Sequence, residues 1–227
     1  MSEPVLLSWS GGKDATLTLE RLLADTRYRV AGLLTTVTAD YGRIAMHGVR
    51  RSILHRQAAS LALPLYVAEL AADADNDAYE TAFAHALATA REVEPELATV
   101  AFGDLFLADV RAWREAQLAR HGWRGVFPLW GEDTARLAQD FVDRGYRAIL
   151  CCVDTRQLAA DFCGREYDTH LLEDLPPGVD PCGENGEFHT CVYAGPLWPE
   201  PLALTQGERV LRDGRFQYVD LLERGAA

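Results

Sequence analysis

The stretch Ser8-Trp9-Ser10-Gly11-Gly12-Lys13-Asp14 combines residue types that could grip an anion. Two adjacent glycines let backbone approach a ligand closely. Ser10 brings a hydroxyl donor and Lys13 a compact positive charge. Lys13 is also the only lysine in the chain, the remainder of its 22 Lys and Arg residues being arginine. An ammonium on a flexible stem and a planar guanidinium are not interchangeable where a loop wraps a phosphate, so the position is marked. Between a strand and a helix, such a turn aims backbone N–H groups and the positive end of the helix dipole at one spot. The chemistry is phosphate binding. The competing reading is a glycine turn that serves the fold alone.

A second unusual stretch is Gly183-Glu184-Asn185-Gly186-Glu187-Phe188-His189-Thr190. Its two glutamates and a histidine fall within six residues beside glycines that permit tight turns, and converging carboxylates suit a cationic substrate or incoming ammonia. Cys182 and Cys191 bracket it, but their spacing matches no standard zinc pattern. Asp104 follows Gly103 after an apolar run and could hold Mg²⁺ or orient an attacking group. It could equally serve as a helix N-terminal carboxylate. Arg111 and Arg114, three apart on one helix face, could meet a phosphate or carboxylate, or pair with Glu115. His47, in Met46-His47-Gly48, has the alternative of a structural histidine.

These residues need elements to position them. Val5-Leu6-Leu7 reads as a buried strand and 15–23 as a helix. Strands are predicted over 28–36, 65–70, 97–102 and 124–128, with helices over 50–63, 77–92 (capped at Asn76 or Asp77) and 109–121. This alternation is the pattern of a parallel sheet covered by helices. Beyond Trp130-Gly131 the texture changes. A helix is predicted over 134–144 and a strand over 147–153, where Cys151 and Cys152 face opposite sides. A Gly- and Pro-rich loop runs from 175 through Thr190, and a hairpin turns at Asp213-Gly214. The expected domains are 1–130 and 131–227.

Two phosphate motifs are excluded. The Walker form needs a hydroxyl directly after the lysine, where Asp14 stands, and GxGxxG is missing. A net charge of −12 argues against non-specific nucleic-acid binding, although Arg50, Arg51 and Arg56 could form a local basic patch. The five cysteines contain no C-x-x-C pair and fit reduced thiols. No run approaches the roughly 20 apolar residues of a membrane span, and the start lacks a basic, apolar leader, so a cytoplasmic protein is expected.

The loop SGGKDA resembles the SGGKDS pyrophosphate loop of the N-type ATP pyrophosphatases, with Ala15 in place of the final serine. Together with MHGVR, FGDL, PLWG and GENGEFHT, in that order, it resembles the diphthine–ammonia ligase family, in the branch of bacterial-type ATP-binding proteins. The resemblance implies an α/β fold, a Rossmann-like doubly wound parallel sheet of the adenine nucleotide alpha hydrolase type, with a smaller C-terminal α+β domain. It implies ATP and Mg²⁺ as cofactors and an AMP-forming ligase joining a carboxylate to ammonia or an amine. Carried over by motif, Ser10, Gly11, Gly12, Lys13, Asp14, Thr36, Met46, His47 and Gly103 would bind the nucleotide. Asp14 and Asp104 would hold the metal, and these two with Lys13, Glu184 and Glu187 would be catalytic. Arg111, Arg114, Asn185, His189 and Thr190 would face the substrate, a small carboxylic acid or a modified protein side chain. The alanine-rich, arginine-for-lysine composition fits a GC-rich bacterial genome, where diphthamide is not expected, which favours the small acid. Homodimerisation stays open. The alternatives are an ATP- or AMP-sensing module without turnover and a tRNA-modifying ATP pyrophosphatase.

Overall fold

The structure, a computed structural model, describes residues 2–44 and 46–224. The chain divides into two units. One comprises Met1–Ser10, Asp14–Ala45 and Ala62–Gly131; the other comprises Gly11–Lys13, Met46–Leu61 and Glu132–Ala227.

In the first unit, β1 (Glu3–Ser8) carries the fully buried run Val5, Leu6 and Leu7. It pairs in parallel with β2 (Tyr28–Thr38) and β5 (Thr99–Ala101). β4 (Leu65–Leu70) continues the parallel sheet beyond β2, and β6 (Arg124–Val126) beyond β5. A two-residue β3 (Arg43–Ile44), not expected from the sequence, pairs antiparallel with the end of β2. The parallel order is therefore β4-β2-β1-β5-β6. The chain winds outward from β1 in one direction, returns, and winds outward in the other. That reversal makes the carboxyl end of β1 a topological switch point, where open α/β sheets bind their ligands.

Helix α1 (Lys13–Ala24) begins just beyond that end. The sheet is packed by α3 (Asn76–Val93) and α4 (Ala108–Arg120), whose Ala86, Leu87, Ala90 and Leu118 join Leu6, Leu34, Val100 and Phe102 in one core. The cap of α3 is Asp75, one residue before the predicted position, because its carboxylate reaches the Ala78 N–H.

The second unit is built on an antiparallel sheet in the order β8-β7-β10-β9. Its strands are β7 (Arg147–Asp154), β8 (Phe188–Ala194), β9 (Leu204–Arg212) and β10 (Phe216–Glu223). Asp213 and Gly214 have φ of 52° and 58°, the two left-handed residues a type I′ hairpin requires. β8 corrects the sequence reading, in which Phe188-His189-Thr190 belonged to a loop. Those residues open a strand paired along β7, whose buried Ala148–Asp154 run needs a partner on each side. α5 (Thr134–Asp143) is as predicted, whereas α6 (Thr169–Asp174) was not expected. Helix α2 (Arg51–Ser60) stops short of Leu63, with Ala62 at φ 54°. The basic patch is neutralised, since Arg50 pairs with Asp220 and Arg56 with Glu223. Among the described residues no helix is long and apolar enough to cross a membrane.

At the end of β7, Asp154 has a fully buried side chain and accepts hydrogen bonds from Arg215 at 3.0 and 2.6 Å, Gln157 at 3.0 Å and the Arg156 N–H at 3.1 Å. The Arg215 bonds, helped by Gln157 and Arg156, hold its carboxyl well below the usual carboxylate range despite burial. A carboxylate depressed in the folded state stabilises above its unfolded pKa, about 3.9, and loses that contribution as pH falls through the folded value. Asp154→Ala is expected to cost about 2–4 kcal/mol at neutral pH, read by urea unfolding. The gap between variant and parent should narrow below about pH 4.

Candidate active site

In the first unit, β1 ends at Ser8, and Trp9 extends its run by donating its N–H to the Leu34 carbonyl at 2.7 Å. Asp14 lies in the first turn of α1, where its charge complements the helix dipole. Gly103 follows β5 and allows that strand end to abut α1, because a Cβ there would lie 3.0 Å from both the Asp14 carbonyl carbon and Thr18 Oγ1. Thr36 lies on β2, partly buried. The Asp104 carboxylate is paired to Arg114, with Nε–Oδ2 at 2.7 Å and Nη2–Oδ1 at 3.2 Å, and that guanidinium lies 4.5 Å over the Phe102 ring. Arg111 pairs with Glu115 at 2.9 Å and stacks 4.7 Å from the centroids of both Phe127 and Trp130. In this structure both arginines are therefore held by protein partners.

The second unit contains the tip of the glycine turn. Gly11, at φ +73°, has a carbonyl that accepts from the Val192 N–H of β8 at 2.8 Å and from Gln57 Nε2 at 3.1 Å. Gln57 is fully buried on α2 and also donates to the Val192 carbonyl at 2.7 Å. The Lys13 N–H donates to Thr190 Oγ1 at 3.1 Å. The Lys13 side chain is 1% exposed; its ammonium donates to the Cys182 carbonyl and lies 5.9 Å from the ring centroids of both Tyr167 and Phe188. Gln57 and Tyr167 were missed by sequence reasoning. A glutamine on a predicted helix and a tyrosine beyond a strand carry no local signal of a partner far along the chain.

His47 and His189 stack with ring centroids 4.3 Å apart, tilted by 31°. Burial, aided by the charge of Lys13, pushes His189 down to about 4. Burial, then the neighbouring His189 and Lys13, hold His47 well below its ordinary range, against a hydrogen bond to the Thr190 backbone. Both imidazoles are neutral near pH 7. Met46 is half exposed at φ 64°, and Gly48, at φ 69°, sits where a Cβ would come within 2.6 Å of the Tyr218 ring.

The acidic loop folds on itself. Glu187 is 2% exposed, and its Oε1 accepts from the Asp180 N–H at 2.9 Å and from Asn185 Nδ2 at 3.1 Å. Asp180 Oδ2 in turn accepts from the Glu184 N–H at 2.8 Å. Glu184 stays partly exposed.

Residues 133–221 fit the family model described as diphthamide synthase C-terminal domain. The diphthine–ammonia ligase of Schizosaccharomyces pombe is 31% identical over 120 residues, covering 51% of this chain. Both similarities, each over part of the chain, are to proteins of diphthamide formation. The chain spans only 20% of that relative's own length. A crystal structure of Candida glabrata FMN adenylyltransferase in complex with FAD and inorganic pyrophosphate superimposes with a TM-score of 0.34 at 15% identity, over 59% of this chain and 46% of that one.

All five cysteines are buried, and burial pushes Cys152, Cys163 and Cys191 up to about 12. Among the described residues, no three His, Cys, Asp or Glu side chains are placed to hold a metal. Ellman's reagent is expected to react with the five thiols only after denaturation, because the thiolate is the reactive form.

At Gly11 the left-handed φ and a Cβ position 2.5 Å from Gln57 Oε1 leave no room for a side chain. The Gln57 amide can withdraw only by giving up its bonds to the Gly11 and Val192 carbonyls. Gly11→Ala should therefore destabilise by about 1–3 kcal/mol. Combined with Gln57→Ala, the two costs should fall short of additivity by at least ~0.5 kcal/mol in a denaturation double-mutant cycle.

Proposed function

We propose that this chain is an ATP-dependent, AMP-forming ligase that joins a carboxylic acid to ammonia or a related amine. The observation that carries the reading is the Gly-Gly-Lys turn: it follows β1 at the switch point of a parallel sheet and opens a 12-residue helix. The kinship with diphthine–ammonia ligases supports the choice of reaction.

In this reading the turn holds the β- and γ-phosphates of ATP. The substrate carboxylate attacks the α-phosphorus, pyrophosphate leaves, and the acyl-adenylate is captured by ammonia to give the amide and AMP. The protein's part is positioning and charge stabilisation. Backbone N–H groups of the turn and the dipole of α1 face the leaving pyrophosphate. The Lys13 ammonium now bonds a neutral carbonyl, a partner that an anionic phosphate oxygen outcompetes. Glu184, Asn185, His189 and Thr190 form the acid- and amine-binding side, while Glu187 shapes the loop that carries Glu184. Thr36, Met46, His47 and Gly103 complete the nucleotide-binding set.

Magnesium fits the paired aspartates poorly. Asp104 is committed to Arg114, and its release would strand that guanidinium, so no step is assigned to a protein-held metal. A second reading, nucleotide binding without turnover, draws on Ala15, which removes a hydroxyl at a buried position of α1.

Lys13→Ala is expected to lower AMP and pyrophosphate formation about 10²- to 10³-fold, in a protein that still folds, as read by circular dichroism, but melts several degrees lower for loss of the buried ammonium bond. Lys13→Arg should also be impaired, since a guanidinium does not replace an ammonium in a tight turn. The assay supplies ATP, magnesium, ammonium and either diphthine or a pool of small carboxylic acids. Pyrophosphate release that is unchanged in Lys13→Ala would remove the turn from the chemistry. Tight ATP binding with no release from any acid would favour the sensor.

A further inference from the structure

The histidine pair holds an unfilled acceptor. His47 Nδ1 is buried and has no hydrogen-bond partner among the described residues. With the ring neutral and its proton on Nε2, the unpartnered Nδ1 offers its lone pair. A buried acceptor without a partner is costly and is retained where a ligand or a proton satisfies it.

The surroundings describe what that ligand would be. From the glycine turn, Lys13 repels a proton from both rings. From β8, His189 stacks on His47. From β10, Tyr218 packs against Gly48, and from β7, Cys152 pairs in register with His189 while the Cys151 thiol donates to the His189 carbonyl. None of these groups is an anion at neutral pH, because burial pushes Cys151, Cys152 and Tyr218 well above their ordinary values. Among these described neighbours, none supplies the negative charge that a protonated imidazole needs.

We propose that His47 and His189 form a proton-accepting pair that takes up one proton when a polyphosphate occupies the Gly11–Lys13 turn, giving the anion a second cation beside Lys13. The proton comes from solvent and bonds to the Nδ1 lone pair, and no electron is transferred. The inference rests on the reading that the turn binds the phosphates of ATP. Its physical basis is charge balance: at an effective dielectric constant of about 20, one negative charge at roughly 6 Å raises an imidazole's proton affinity about a hundredfold. A triphosphate carries several such charges. Filling the turn thus restores the basicity that burial and Lys13 remove.

Isothermal titration of the full chain with magnesium-bound ATP, at about pH 7 in two buffers of different ionisation enthalpy, reads the proton directly. Net uptake is expected in the parent. In His47→Gln and His189→Gln the uptake should be lost, with binding weakened about ten- to a hundredfold. Histidine Cε1 resonances of the unsubstituted protein, recorded with and without magnesium-bound ATP, report the same protonation without relying on a variant. Binding with no uptake and no histidine shift, or uptake that persists in both variants, overturns the proposal. A complete lack of ATP binding overturns the nucleotide reading itself, and this inference with it.

Discussion

Two residues of the glycine turn, Gly11 and Lys13, are tied to the distant strand β8, and the site depends on that tie. Gly11 shares its carbonyl between Val192 and Gln57, while Lys13 uses both its N–H and its ammonium on Thr190 and Cys182. Each neutral bond contributes about 0.5–1.5 kcal/mol and the ammonium bond about 1.5–3 kcal/mol. The same residues that local chemistry assigns to an anion are thus also cross-links of the second unit. A turn so held is preorganised, and it meets a ligand at little cost in ordering.

That arrangement explains why a buried lysine and two buried imidazoles can be neighbours. A buried charge needs compensation, and a carbonyl oxygen and two aromatic rings contribute to it at Lys13. The histidines, facing the same ammonium in a dry setting, stay neutral. The acidic loop keeps its Glu187 turned onto the Asp180 N–H and the Asn185 amide.

Competition among protein partners shapes the other half of the motif set. Asp104 and Arg114 each have the chemistry to bind something outside the protein, yet they pair with each other, and Arg111 lies against the Phe127 and Trp130 rings while pairing with Glu115. Arginine's planar fork suits both arrangements. A charged residue in a motif can thus serve as scaffold as readily as contact.

Much was legible in the sequence because its cause is local. The buried run before Gly11, the Ala-rich helix α3 and the Asp213-Gly214 turn are dictated by periodicity, propensity and left-handed backbone geometry, which act over a few residues. The glycine turn between strand and helix belongs to the same class. What only tertiary structure decided has long-range causes. Strand β8 exists because β7 presents an unpaired edge, and Gln57 and Tyr167 join the site because distant carbonyls need donors. His47 and His189 become a neutral stacked pair only when folding removes water from both. Pairing, desolvation and charge competition are properties of neighbours in space, and the order of residues along a chain does not contain them until the chain has closed on itself.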